Sequence, residues 1–145
     1  MKTSQWLMLS LITLAISAIP PNASGQLLIS NHANDTINEY NFDGTPVGSG
    51  TFTSSGLDAP YGIAISESNV FVANSLSNTI SEYTLSGDLI NASLVSSGLS
   101  YPQFIAISGD DLFVVDNQHN RVGEYTTSGA LVNACLLYTS PSPRD

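Results

Sequence analysis

The chain has 145 residues, with 12 Asp and Glu against 3 Lys and Arg and a formal net charge of −9 at pH 7. Residues 26–134 concentrate the imbalance, setting eleven carboxylates against the single Arg121. Such a surface repels phosphate backbones and argues against nucleic acid as a partner, and with Cys135 the only cysteine there is no disulfide framework.

The N-terminus reads as a targeting segment. Met1-Lys2-Thr3 is a short basic start, and residues 6–19 form a mostly apolar run. Pro20, Pro21 and Asn22 break that run, and Ala23 and Gly25 are small residues at −3 and −1. The pattern predicts a signal peptide over residues 1–25, cleaved between Gly25 and Gln26, and hence a secreted, extracellular or envelope location. The run is well short of the roughly 20 residues that a membrane span needs.

One stretch then occurs three times. Leu28-Ile29-Ser30-Asn31 followed by Thr36-Ile37-Asn38-Glu39-Tyr40 returns as Phe71-Val72-Ala73-Asn74 and Thr79-Ile80-Ser81-Glu82-Tyr83. It returns again as Phe113-Val114-Val115-Asp116 and Arg121-Val122-Gly123-Glu124-Tyr125. Tyr40, Tyr83 and Tyr125 lie 43 and 42 residues apart. A self-similar period in the low forties, rich in β-formers, is the mark of β-propeller blades. The fold class expected is all-β, a propeller fragment of about two and a half four-stranded blades over residues 26–134.

Within one unit the first strand is expected at residues 62–66 and 104–108. Pro60 and Pro102 end the preceding loop, with a fixed φ and no N–H to leave unpaired. These strands are almost wholly apolar, as suits burial on both faces, and the small Ala64 and Ala106 suit crowding near a central axis. Second strands follow at 70–73 and 112–115, third strands at 79–84 and 121–126, and a fourth near 92–96. The turns Asp43-Gly44, Ser86-Gly87 and Ser128-Gly129 supply a residue able to take positive φ. The first unit begins at Leu27, in phase with the second strand, and lacks a first strand. Propeller rings close by letting one terminus supply the strand missing at the other, so a C-terminal segment is expected there. The one-residue difference in period falls between Asn41 and Ser54 and is expected in a loop or strand end.

After Ala134 the repeat predicts a sequence like Ser93-Leu94-Val95-Ser96-Ser97-Gly98. The chain instead reads Cys135-Leu136-Leu137-Tyr138-Thr139-Ser140-Pro141-Ser142-Pro143-Arg144-Asp145. These eleven residues resemble the translation of a transposase-type sequencing adaptor. Residues 135–145 are therefore expected to be an artefact outside the repeat that does not continue the fourth strand through to its end, since Pro141 and Pro143 cannot extend a strand, although Leu136 and Leu137 can pair by chance beside an open edge. A fragment of about half a ring is expected to expose blade faces and to aggregate.

The repeated Glu39-Tyr40, Glu82-Tyr83 and Glu124-Tyr125 pairs are the first candidates for chemistry. Neighbours in a strand face opposite sides, so each pair is expected to set packing and register, with a ring of binding carboxylates as the alternative. Asn31, Asn74 and Asp116 share one position at a strand end, where Asn and Asp cap turns. The loops Asp110-Asp111 and Asp116-Asn117-Gln118-His119-Asn120 offer oxygens to Ca²⁺ or another divalent metal. They lack the Asp-x-Asp-x-Asp-Gly-x5-Glu ligand loop, so no cofactor is assigned. His32 and His119 fall in the same inter-strand loop at different repeat positions, and both are expected to be ordinary exposed loop histidines. No Gly-x-Ser-x-Gly, His-Glu-x-x-His or phosphate-binding glycine loop occurs, and no catalytic residue is assigned.

The residues Gly56-Leu57-x-x-Pro60-Tyr61-Gly62-Ile63-Ala64-Ile65, Val70-Phe71-Val72-Ala73-Asn74 and Asn78-Thr79-Ile80-x-Glu82-Tyr83 resemble the NHL-type repeats of six-bladed propellers. They look closest to repeats of secreted bacterial proteins that carry a PEP-CTERM sorting tail. The resemblance implies a binding or scaffold module for a protein or carbohydrate ligand, attached to the envelope through a C-terminal tail that this sequence does not show. The alternative it implies is a gluconolactonase-like or streptogramin-lyase-like enzyme with a central divalent metal held by further blades. Those enzymes place an Asn or His just after the loop proline, pointing into the channel. Here those positions are Tyr61 and Gln103, which weakens the enzyme reading.

Overall fold

Short runs of β-branched and aromatic residues, punctuated by Asn, Ser, Asp and Gly, dictate tightly turned antiparallel strands. The computed structural model describes residues 13–15 and 26–138. The described residues form three four-stranded sheets. The first holds β1 (Thr13–Ala15), β2 (Gln26–Asn31), β3 (Thr36–Asn41) and β4 (Pro46–Thr53). The second holds β5 (Pro60–Ile65), β6 (Asn69–Asn74), β7 (Thr79–Thr84) and β8 (Leu89–Val95). The third holds β9 (Pro102–Ser108), β10 (Asp111–Asp116), β11 (Arg121–Thr126) and β12 (Leu131–Tyr138). Each is an up-and-down meander in which sequence neighbours are spatial neighbours, the blade of a β-propeller.

Three details depart from the sequence expectations. First, the opening blade has four strands, because Thr13, Leu14 and Ala15 pair antiparallel with Ser30, Ile29 and Leu28. The free edge of β2 is a row of unpaired N–H and C=O groups, and a piece of the expected leader fills it in place of a C-terminal segment. The rest of residues 1–25, including the expected cleavage point, lies outside the described residues, as do residues 139–145. Second, the extra residue of the first unit sits inside β4 rather than at its end. Thr53 pairs with Ile37 as Val95 pairs with Ile80, but β4 has 8 residues where β8 has 7. Gly48 and Gly50, at φ +56° and +80°, absorb it as an irregularity in the ladder. Third, the repeat phase continues past Ala134. Leu137 pairs with Val122 as Val95 pairs with Ile80, and β12 ends only at Tyr138.

The core lies between blades. Leu28, Ile37, Ile63, Val70, Val72 and Tyr83 join the first blade to the second. Phe71, Ala73, Ile80, Val95, Leu99, Leu112, Val114 and Tyr125 join the second to the third. Strand β6 feeds both clusters, with Val70 and Val72 on one face and Phe71 and Ala73 on the other, as the two-residue period of a strand requires. Two glycines let the blades close up. Gly87 and Gly129 take φ +88° and +87°, and a Cβ on either would collide with a carbonyl oxygen of the preceding blade's outer strand, that of Phe52 or Leu94. Gly62 is hemmed in likewise: a Cβ there would lie 2.6 Å from the Gln103 oxygen. On the far side of the third blade no described residue covers the sheet, and Phe104 is 52% exposed. Ala64 is buried as expected, whereas Ala106 is exposed because no described residue packs against that face.

Candidate functional site

Alternation of strand direction carries the β2–β3, β6–β7 and β10–β11 loops to one end of the blades, together with the loops that lead into β5 and β9. Polar side chains tie these loops together. Asp35 Oδ1 accepts a hydrogen bond from the Ala59 N–H at 2.7 Å, and Asn78 Oδ1 accepts one from the Tyr101 N–H at 2.7 Å. Each bond runs from one blade to the next. All four residues have φ between +51° and +59°, a region that L-residues enter at a cost of about 1–3 kcal/mol unless their surroundings hold them there. Ala59 and Tyr101 each precede a proline, which also disfavours helical backbone.

A second set of bonds acts within each blade. Asn74 Oδ1 accepts from the Asp58 N–H at 3.2 Å, and Asp116 Oδ1 from the Ser100 N–H at 2.8 Å. Asn31 instead accepts from the Ala33 N–H at 3.2 Å within its own turn. Of the three equivalent residues, then, Asn31 caps its turn while Asn74 and Asp116 anchor the loop before the blade's first strand. Asp116 is fully buried and its other oxygen receives His119 Nδ1 at 2.7 Å and Arg121 Nε at 2.9 Å. Arg121 also donates to the Gly98 carbonyl. The third blade thus replaces the neutral strap of the second by a charged one, and a carboxylate so deeply buried needs those partners.

At the same end an aromatic track crosses three blades. The His32 and Tyr61 rings are 4.7 Å apart at an interplanar angle of 50°, and Tyr61 and Tyr101 are 6.2 Å apart at 58°. His32 Nδ1 is buried and has no hydrogen-bond partner among the described residues. Polar contact with the Tyr101 hydroxyl, then burial, holds the Tyr61 phenol above its ordinary range. Tyr61 is the residue after the loop Pro60, and Gln103 is its equivalent after Pro102. Pro60 and Pro102 are both fully buried and open their strands. Half-buried rings beside an unpartnered imidazole nitrogen form a surface for stacking plus one hydrogen bond.

The Glu-Tyr pairs divide between faces. Tyr83 and Tyr125 are core residues, and the Tyr83 hydroxyl donates to the Ser55 carbonyl at 2.7 Å. Burial raises both phenols above their ordinary value. Glu82 lies on the opposite face and receives Asn69 Nδ2. Tyr40 and Glu39 are half-buried in the first blade, and burial raises the Glu39 carboxyl. Glu124 is likewise half-buried. Among the described residues no three His, Cys, Asp or Glu side chains gather as a metal site would require. Asp111 and Asp116 mark opposite ends of β10, so the two acidic loops do not converge. Asp35 and Asn78 carry no signal of their own in the sequence, and His32 reads there only as a loop histidine. Asp35, Asn78 and Asn120 nevertheless occupy one repeat position, 43 and 42 residues apart, and that recurrence was the available signal.

No family model matches this chain, and no curated protein sequence does. Solved structures do. The chain is similar to a protein in a nidogen/laminin complex, at 19% identity and a TM-score of 0.68 over 82% of this chain and 45% of that one. It is similar to the virginiamycin B lyase of Staphylococcus aureus, at 25% identity and 0.61 over 92% of this chain and 43% of that one. It is similar to a gluconolactonase of Xanthomonas campestris, at 17% identity and 0.62 over 75% of this chain and 42% of that one. The likeness establishes the propeller fold, and the chain spans less than half the length of these proteins.

Proposed function

We propose that these blades belong to a secreted or envelope-attached propeller that acts as a binding or scaffold module, with its ligand at the loop-rich end. The observation that carries this reading is the aromatic track, in which the buried, unpartnered His32 Nδ1 stands beside the tilted Tyr61 and Tyr101 rings. A neutral carbohydrate suits it best. Pyranose faces stack on aromatic rings, and a sugar hydroxyl supplies the partner that a buried nitrogen otherwise lacks at a cost of about 1–3 kcal/mol. Secretion rests on the leader-like residues 1–25, and cleavage before Gln26 would release β1 with the leader.

The enzymatic alternative rests on the likeness to a lyase and a gluconolactonase. Tyr61 and Gln103 at the positions after the loop prolines favour the binding reading over it. A panel of neutral oligosaccharides, followed by NMR of the His32, Tyr61 and Tyr101 ring protons, tests the proposal. Saturable shifts confined to those rings, lost by at least tenfold in His32→Ala and Tyr61→Ala, are expected. Turnover of a lactone, or shifts elsewhere with these rings unmoved, would overturn it.

A further inference from the structure

The opposite end of the blades carries a different surface. Between the second and third blades a groove of about 1210 Å³ opens at the β5–β6, β9–β10 and β11–β12 turns. Ile65, Phe71, Leu94 and Ile107 supply its apolar walls. Three carboxylates line it as well: Glu67 and Asp110 are exposed on the turns, and Glu82 is half-buried and holds Asn69. Among the described residues no cation answers them. Arg121 is the only Lys or Arg among residues 26–138, and it is engaged with Asp116 at the loop-rich end.

We propose that this groove docks an extended peptide segment of a partner protein in which Lys or Arg residues alternate with apolar ones. Charge complementarity selects the cations, because three carboxylates with no local counter-charge attract them and low-dielectric walls focus the field. Exposed ion pairs are individually weak, so the apolar walls must contribute the rest of the affinity by leaving water. The volume exceeds the roughly 300–1,000 Å³ of pockets that enclose small ligands, and the groove is open, as a chain passing through it requires. Alternation in the partner follows from extended backbone, which sends successive side chains to opposite sides. The proposal also gives Glu82, one of the three repeated glutamates, a contact beyond packing.

The test is fluorescence anisotropy of a labelled octapeptide alternating Lys and Leu against the full chain, beside octalysine and an alternating Glu-Leu peptide. Saturable binding of the Lys-Leu peptide is expected, at least tenfold tighter than octalysine, with none for the Glu-Leu peptide. The double variant Glu67→Gln/Asp110→Asn changes only exposed side chains and should weaken binding at least tenfold. Asp58→Asn, at the opposite end, should leave it within twofold. Equal affinity for octalysine would mean a diffuse acidic field and overturn the proposal. So would indifference to the double variant, or displacement of the peptide by micromolar Ca²⁺, which would mark a cation site.

Discussion

The second and third blades carry nearly the same strands and bury them differently. In β6 five of six residues are buried, whereas in β10 buried and half-buried residues alternate. The innermost strands differ in the same way, β5 being largely buried and β9 alternating between half-buried and exposed after Pro102. Ile63-Ala64-Ile65 and Ile105-Ala106-Ile107 are identical triplets, so composition is not the cause. The second blade has a blade on each side and the third has one on only one side among the described residues. Burial in a repeat array belongs to the interfaces between units, as a nearest-neighbour account of stability holds. The straps differ as well, Asn74 being neutral where Asp116 is ionic.

Glycines give the largest effect with which to break this comparison. Gly44 and Gly87 occupy equivalent turns at φ +84° and +88°, but a Cβ on Gly44 would meet nothing within 4 Å while one on Gly87 would strike the Phe52 carbonyl. Gly44→Ala should cost about 1–3 kcal/mol from backbone strain alone. Gly87→Ala should exceed about 4 kcal/mol, since the blades must part. Urea denaturation of both variants measures the difference, and equal costs would mean that the turn does not wedge against the preceding blade.

Core truncation comes next. Phe71→Ala should cost about 3–5 kcal/mol, as expected for a buried aromatic ring. Phe113→Ala, at the equivalent but half-buried position, should cost about half as much by the same denaturation assay. Asp116→Asn gives the third blade the residue of the second. The Ser100 contact survives, but His119 and Arg121 lose a carboxylate, and a loss of about 1–3 kcal/mol is expected. Thermal melts should show that loss without any matching gain elsewhere.

The smallest effect is one of pH. Burial raises the Tyr83 phenol above the ordinary tyrosine value of 10.0. The folded state therefore holds its proton more tightly than the unfolded state. The stabilisation is complete below the unfolded value and is lost as pH rises through the folded one. Tyr83→Phe should cost about 1 kcal/mol at neutral pH through its bond to Ser55. It should also flatten the fall in stability above pH 10, which denaturation at a series of alkaline pH values would show.

The blades were legible because a period of 42 to 43 residues survives in a single sequence, and because Pro60, Pro102, Gly87 and Gly129 mark turns on their own. The straps were not. Asp35 reaches Ala59 and Asn78 reaches Tyr101 across 24 and 23 residues, and nothing local announces such a bond. Positive φ at Ala59 and Tyr101 runs against the preference of a residue before proline, so local rules pointed away from it. At Cys135 the change of residue identity looked like the end of the repeat. Pairing asks only for extended, apolar residues in phase, and Leu136 and Leu137 stand 42 residues after Leu94 and Val95. Of the candidate site, Tyr61 was flagged by its place after Pro60, while His32 was read as an ordinary loop histidine. Its contact with Tyr61 is made between blades and exists only in the fold.

The central claim is that neighbouring blades, rather than a blade's own residues, set its stability. Amide hydrogen exchange at Val72 and Val114 tests it most directly. Both are fully buried, at equivalent positions in the second strand of their blades, and each of those strands pairs on both sides. The blade of Val72 is packed on both faces and that of Val114 on one among the described residues. Exchange reports local opening, and Val72 should exchange at least tenfold more slowly than Val114. Equal rates, or slower exchange at Val114, would contradict the account.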